Sequence, residues 1–513
     1  MISLSRLQSG FGFMLCSLVV IAAVVLGGGT RSGHLSDFVL QLLALPLLLV
    51  TLWQLGAGKG GSHPGVWAFC AAVVLVPLVQ TVPLPPFLWA ALPNRQPQAE
   101  LLELIGAKPA WQPLSVFPTA TRLSLLSLIV PLAVFWGTLL LDYRQRRWLS
   151  LTLIGITVAS VFLGLTQIAQ GPASSLRFFE VSNLGDAVGF FANRNHFAAL
   201  LYAATVFGGA WVVDVSLRSG APQRGMLASQ LVAIIASCTA LVMLIAAQAM
   251  ARSRAGLAIT VVALAGILLL AFFDRRKSTL VTPGRLLVAS VVLAAVFSTQ
   301  FALYRIMERF AVDPLQDARI GFTRTTIEAA KLYMPFGSGM GTFVPVYEQF
   351  EKPADLMVNK FANRAHNDFV ELWLESGVAG IILMAVFLGW FLRRATAAWR
   401  SAPINATDVD AALARAASLV IALLLMHSFL DYPLRTGAVM AVFAFASALL
   451  IPPTAEKQEL HSPSPSSKQP AKASSMSPDM SVVRGSHGPP QRWGENIDWP
   501  DAWDPSRRNN DRP

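Results

Sequence analysis

Runs of about 20 predominantly apolar residues, the length needed to span a hydrocarbon core, recur along the chain near 11–29, 36–56, 64–84, 121–141, 148–169, 190–213, 228–249, 254–273, 286–304, 366–391, 412–432 and 434–451. They predict an all-α, polytopic transmembrane helical protein of about 12 spans. The basic residues between the runs test how the chain is threaded. With the N-terminus in the cytoplasm, the inner loops receive Lys59, then Arg144, Arg146 and Arg147, then Arg218 and Arg224, then Arg275, Arg276, Lys277 and Arg285, then Arg393, Arg394 and Arg400. Cytoplasmic loops collect Lys and Arg near span ends, so this threading, with both termini inside, is the expected one. Arg6 before the first run resembles the start of a signal peptide; the many spans that follow favour a retained first helix.

The same threading leaves three sizeable segments outside, roughly 85–120, 170–189 and 305–365. The first carries Pro83, Pro85, Pro86, Pro93, Pro97, Pro109, Pro113 and Pro118 at and around it, and is expected to be extended or turning with at most a short helix. The third, a large external loop between spans 9 and 10, contains a helix-compatible stretch from Thr323 to Tyr333 and a turn from Pro335 to Gly341. Its glycines lack the preceding strand and the following lysine and hydroxyl of a phosphate loop. After residue 451 the apolar periodicity ends, and Ser, Pro, Lys and Asn dominate. The chain therefore divides into a transmembrane domain, 1–451, and a tail, 452–513, expected to be disordered and cytoplasmic. Trp493, Trp499 and Trp503, interleaved with acids, leave a short docking motif open within it.

Composition supports this class. The 513 residues are 54% hydrophobic and 13% charged, against about 25% charged in soluble domains. A formal charge of +11 would suggest nucleic acid in a soluble protein; here the inner loops account for it, and no nucleic-acid partner is expected. Cys16, Cys70 and Cys238 lie in apolar runs without disulfide or metal spacing.

Chemistry is expected where polar residues meet the outer ends of spans, above all between Phe301 and Glu375, because hydrocarbon cannot satisfy a long polar segment. Arginines recur there: Arg122, Arg194, Arg252, Arg254, Arg319, Arg324, Arg364 and Arg435. Such an external set runs against the positive-inside bias. A guanidinium stays charged and grips phosphate oxygens bidentately, so a diphosphate is the natural ligand; contact with lipid headgroups is the alternative. Three patterns stand out: Asn193-Arg194-Asn195-His196 opening an apolar helix, Arg252-Ser253-Arg254-Ala255-Gly256 at a turn between spans, and Arg364-Ala365-His366-Asn367-Asp368. Asp368, Glu371 and Glu375, spaced by three and four, share one helix face, leaving open a glycosidase, a metal site or pairing with arginine. His366, at the helix N-terminus, would be kept neutral by the helix dipole and available as a base; capping the helix is the other role open to it.

With these residues, and with Gly337-Ser338-Gly339-Met340-Gly341-Thr342-Phe343, Pro118-Thr119-Ala120-Thr121-Arg122 and His427-Ser428-Phe429-Leu430-Asp431-Tyr432-Pro433-Leu434-Arg435, the chain resembles the bacterial O-antigen ligase and Wzy-type O-antigen polymerase superfamily over most of residues 75–450. The resemblance implies a metal-independent, cofactor-free membrane glycosyltransferase of the C type in the bacterial inner membrane, active on the periplasmic side in lipopolysaccharide or exopolysaccharide biosynthesis. It implies His366 as general base on an acceptor hydroxyl, and Arg194, Arg252, Arg254, Arg319 and Arg364 on the diphosphate of an undecaprenyl-linked glycan donor. Asn193, His196, Asn367 and Asp368 would support them. The acceptor would be lipid A core for a ligase, or a second lipid-linked repeat unit for a polymerase. A protein acceptor and, from a different class, a lipid-glycan flippase remain the alternatives. Direct displacement by one hydroxyl predicts inversion at the anomeric carbon.

Overall fold

The computed structural model describes residues 4–453 except 32, 59–62, 107–109, 180–183, 219–227, 276–313, 354–360 and 402–405. The expected span near 286–304, the start of the 305–365 loop and nearly all of the tail lie outside the described residues. Helices run α1 Leu4–Leu26, α2 Leu35–Gly56, α3 Pro64–Gln80, α4 Pro86–Ala90, α5 Gln96–Leu104, α6 Pro118–Ser127, α7 Ile129–Leu140 and α8 Tyr143–Ala169. They continue as α9 Arg194–Arg218, α10 Ala228–Met250, α11 Arg254–Arg275, α12 Pro314–Leu332, α13 Phe343–Phe350, α14 Asp368–Arg400, α15 Asp408–His427 and α16 Gly437–Leu449, with a 3-10 turn at Pro433–Arg435 before the last. Among the described residues, seven helices are long and apolar enough to cross a membrane, and Gly10–Leu26, Pro64–Gln80, Ile235–Met250 and Gly437–Leu449 are shorter apolar helices.

The proline-rich segment holds more structure than its prolines suggest. It forms α4 and α5, and a two-stranded antiparallel pair, β1 Pro83–Leu84 and β2 Gln112–Pro113, whose partners are Pro83 with Pro113 and Leu84 with Gln112. Proline is tolerated in the first turn of a helix, where its missing N–H has no intrahelical role. Pro86 and Pro118 each sit at such a position.

Helix α9 is the centre of the bundle. Its apolar window is the least hydropathic of the seven candidate spans, yet 89% of it is buried, against 22% for α2. A helix surrounded by other helices has little lipid to satisfy, so polar groups are tolerated on it where partners exist. Phe197, Tyr202 and Phe207 of α9 are fully enclosed. Close approach of α11 depends on Gly256, where a Cβ would stand 2.4 Å from the Ala198 Cβ.

Helix α14 is broken inside its apolar run. Gly377 has φ 57° and ψ −139°, a region open in practice to glycine alone. A kink removes carbonyls from the helix ladder, and buried carbonyls need donors. The glycine-rich turn supplies them: Ser338 N donates to Leu374 O and Gly339 N to Glu375 O, both at 2.9 Å, while Val378 N returns to Pro335 O at 2.9 Å. Gln80 locks the arrangement, its Nε2 donating to Glu375 O and its Oε1 accepting from Met340 N, each at 2.9 Å. These turn amides thus serve a kinked helix. Gly377→Ala would force an L side chain into this conformation, with its Cβ 2.1 Å from Pro335 O. The expected loss is about 1–3 kcal/mol from backbone strain and more from the overlap, read as a lowered thermal midpoint in detergent; an unchanged midpoint would contradict the kink.

Candidate active site

His366 stands two residues before α14, next to its cap Asn367. Asn367 is the helix cap, its Oδ1 accepting from Phe369 N and Val370 N at 3.1 Å each, so the histidine ring is released from any capping role. The backbone of His366 is left-handed, φ 54°, which is uncommon away from glycine and persists only where surroundings hold it. Those surroundings are visible: the ring stacks on Phe322 at 5.8 Å and meets the edge of Tyr432 at 4.9 Å. Its Nδ1 lies 3.0 Å from Oδ1 of Asp431.

Asp431, just past the end of α15, is fully buried. Tyr432 N donates to it at 3.0 Å, Asn195 Nδ2 donates to its other oxygen, and an Arg319 nitrogen lies 3.9 Å away. Asn195 is fixed in turn by Ser253 Oγ, which donates to Asn195 Oδ1 at 2.8 Å and accepts from Gly256 N at 3.0 Å. A continuous polar chain thus runs from the start of α11 through α9 to the histidine. Burial alone would raise the Asp431 pKa; the hydrogen bond and charge of His366, then Arg319, outweigh it and hold the carboxyl well below its ordinary value. An ionised carboxylate only accepts hydrogen bonds. In the neutral form of the ring the proton therefore sits on Nδ1, facing the carboxylate, and Nε2 carries the lone pair. This Nε2 is chemically a base.

The candidate arginines divide into groups. Arg194 and Arg252 converge on one carboxylate, Asp186, at 2.6 and 3.5 Å; Arg252, with φ 51° and a side chain 40% exposed, is the more open. Arg254 begins α11 beside Ser253. Arg319 donates to Leu430 O at 3.3 Å as well as facing Asp431. These four border the polar chain that orients His366. Arg324 lies apart, largely exposed, pairing with Glu328 one helical turn on at 3.7 Å.

Arg364 and Arg435 belong to a buried cluster. Asp368, Glu371 and Glu375 do share one face of α14, and all three meet Arg435, at 3.5, 3.6 and 2.6 Å. Arg364 binds Glu371 at 2.9 Å, and the other oxygen of Glu371 accepts from Ala365 N at 2.9 Å. Burial opposes the charge on Arg435, but Glu371, Glu375 and Asp368 outweigh it and push its pKa up. Asp368, expected to support the site, accepts from Ser428 Oγ at 2.8 Å and Leu434 N at 3.2 Å; the carboxylate that contacts the His366 ring is Asp431. Among the described residues no group of three or more His, Cys, Asp or Glu is placed to hold a metal ion.

His196, fully buried, makes a second edge-to-face contact with the Tyr432 ring at 4.8 Å. Asn193 and Asn363 both donate to the Tyr432 hydroxyl, at 3.5 and 3.1 Å. Burial, then the charge of Asp431, raises the pKa of that phenol to about 12, so Tyr432 stays a neutral hydroxyl. Of the sequence candidates, Asn193, His196 and Asn367 are thus gathered around the His366–Asp431 pair. Asp186, Asp431 and Tyr432 were not singled out as site residues. The 427–435 segment held the signal for two of them; nothing local marks Asp186.

Residues 239–385 match the family model described as O-antigen ligase. No curated protein matches the chain. The match bears out the resemblance to the O-antigen ligase and Wzy superfamily over that stretch and supports a ligase- or polymerase-like function, and with the apolar helices it indicates an integral membrane protein. It spans Arg252, Arg254, Arg319, Arg364 and His366, whereas Arg194 and Asp431 lie outside it.

Removing Arg435 leaves three buried carboxylates without their main counter-charge. Arg435→Gln is expected to lower stability by about 3–5 kcal/mol, and a melt indistinguishable from wild type would contradict the cluster. For Asp431, a depressed native pKa gives stability that is full above the unfolded value of about 3.9 and is lost as pH falls below it. Stability measured against pH should therefore drop more steeply below about pH 4 in the wild type than in Asp431→Asn; parallel curves would show that the carboxyl is not held ionised.

Proposed function

We propose, from the O-antigen ligase match and the His366–Asp431 geometry, that this protein transfers a glycan from undecaprenyl diphosphate to an acceptor hydroxyl. We read the chain as having about twelve spans in the bacterial inner membrane, both termini cytoplasmic and the site on the periplasmic side. The observation that carries the reading is the His366 Nδ1 contact with a buried, ionised Asp431, which leaves Nε2 as the basic nitrogen.

In this reading the acceptor oxygen attacks the anomeric carbon as its proton passes to Nε2 of His366. Asp431 holds the ring in the required tautomer and stabilises the imidazolium that forms. The bond from the anomeric carbon to the diphosphate breaks on the opposite side, inverting the centre. Negative charge builds on the departing lipid diphosphate, and preorganised cations there lower the barrier without reorganising. Arg194, Arg252, Arg254 and Arg319 supply that charge. Asp186, shared by two of them, fixes direction without neutralising the set. Arg364 adds its charge from the rim while Glu371 keeps it and the Ala365 backbone in place beside His366. Asn193, His196 and Asn367 position rather than react, through Tyr432 and the helix cap.

The test is transfer by purified protein from a lipid-diphosphate-linked oligosaccharide, with lipid A core and a second donor molecule offered separately as acceptors. Transfer to core identifies a ligase; a ladder of longer lipid-linked chains identifies a polymerase. His366→Ala and Asp431→Asn should each reduce the rate by roughly 10²–10⁴-fold with the protein still inserted and donor still bound. Chelation by EDTA should leave the rate unchanged. Wild-type rates in His366→Ala would end the general-base assignment, and a rate restored specifically by a divalent metal after chelation would end the arginine-based account.

A further inference from the structure

The helices that build this site also build a second polar feature at their other ends. Helix α16 starts beside Arg435 and rises about 20 Å over its length to Leu449; α14 leaves the site at Asp368 and reaches Arg394 and Ala398 beyond it. Between these far ends lies a cavity of about 190 Å³ lined by Tyr143, Arg146, Arg394, Ala397, Ala398, Asp410 and Leu449, among others.

Its two arginines are only partly used. Arg146, 3% exposed, donates from Nε to Thr138 O and Leu141 O at 3.1 and 3.0 Å, and from its terminal nitrogens to Ile451 O at 2.6 Å and Leu139 O at 3.0 Å. Among the described residues Arg394 donates to Leu450 O, from Nε at 2.8 Å and from a terminal nitrogen. Five N–H donors per guanidinium leave about two on Arg146 and about three on Arg394 without an acceptor among the described residues. Helix-end carbonyls thus hold both side chains in place, and among the described residues neither guanidinium is paired directly with a carboxylate. Asp142 and Asp410 offset the Arg146 charge only at longer range; the Asp410 Oδ2 accepts instead from Thr407 N at 2.8 Å, the Thr407 hydroxyl at 2.6 Å and Arg147 at 3.2 Å. The Tyr143 hydroxyl is buried without a hydrogen-bond partner among the described residues, a state that costs about 1–3 kcal/mol unless something else satisfies it. The arginine charges reach His63 as well, whose pKa is lowered first by burial and then by Arg394 and Arg146.

We propose that this cavity binds the phosphate of an anionic phospholipid headgroup, with the Arg146 and Arg394 guanidiniums and the Tyr143 hydroxyl as donors and the alanine and leucine wall against the glycerol. The size decides against a second donor-glycan site, because small-molecule pockets begin at about 300 Å³. The apolar wall decides for a lipid over free phosphate, which has no use for it. On the positive-inside threading the cavity opens at the cytoplasmic face, where anionic lipid concentrates and basic pockets between helices take its headgroups.

The experiment uses the full-length protein, delipidated in detergent and exposed to phosphatidylglycerol, phosphatidylcholine or inorganic phosphate, with bound lipid read by native mass spectrometry and stability by thermal midpoint. Phosphatidylglycerol should bind and raise the midpoint, and neither of the others should match it. Tyr143→Phe and Arg394→Gln should each weaken phosphatidylglycerol binding by about fivefold or more, roughly the loss of one hydrogen bond, whereas Arg393→Gln, an exposed neighbour, should not. Where Arg394→Gln fails to fold, Tyr143→Phe decides alone, since it removes one oxygen that no group among the described residues uses. Equal binding of phosphatidylcholine, or binding indifferent to Tyr143→Phe, would overturn the proposal. Protection by inorganic phosphate equal to that of phosphatidylglycerol would overturn the lipid assignment and leave an anion site.

Discussion

The structure turns on one buried carboxylate. An ion enclosed among helices is costly unless it is paired and hydrogen-bonded, and Asp431 meets that demand with donors from four places: His366, Asn195, its neighbour Tyr432 and, at longer range, Arg319. Each donor is drawn into a particular position by the need to satisfy it. The left-handed backbone of His366, the polar opening of the otherwise enclosed α9 and the serine at the start of α11 are three consequences of a single requirement.

The arginine–carboxylate cluster one turn into α14 does a different job. Arg435 and Arg364 balance Asp368, Glu371 and Glu375 and tie the segment before α14 to the segment before α16. The Gly377 kink and the glycine turn that caps it lie directly below. The histidine is therefore mounted on a loop held at its base by ion pairs and at its tip by Asp431. Such mounting suits a base that must meet a substrate in fixed orientation, since misplacement by about 1 Å is catalytically expensive.

Much of this was legible in the sequence for physical reasons. Apolar runs locate membrane-length helices because lipid tolerates little else, and the spacing of Asp368, Glu371 and Glu375 put them on one face because helices repeat every 3.6 residues. The proline-rich segment misled, because proline forbids helix interiors but not helix starts. What each charged group would pair with was not legible. His366 and Asp431 are 65 residues apart and Asn195 and Asp431 are 236 apart, and no local pattern encodes such contacts. Asp368, two residues from His366, looked the nearer partner, but its position inside the first turn of α14 turns its side chain to Arg435 and Ser428.

The central claim is that Asp431 holds His366 as the tautomer protonated on Nδ1 with a free lone pair on Nε2. Nitrogen-15 NMR of histidine-labelled protein, with the His366 signals identified by their loss in His366→Gln, reads this directly. The account predicts, at a pH where the ring is neutral, a protonated Nδ1 and an unprotonated Nε2 for His366, and loss of that preference in Asp431→Asn. A ring protonated on Nε2 with a bare Nδ1 in the wild type would contradict it.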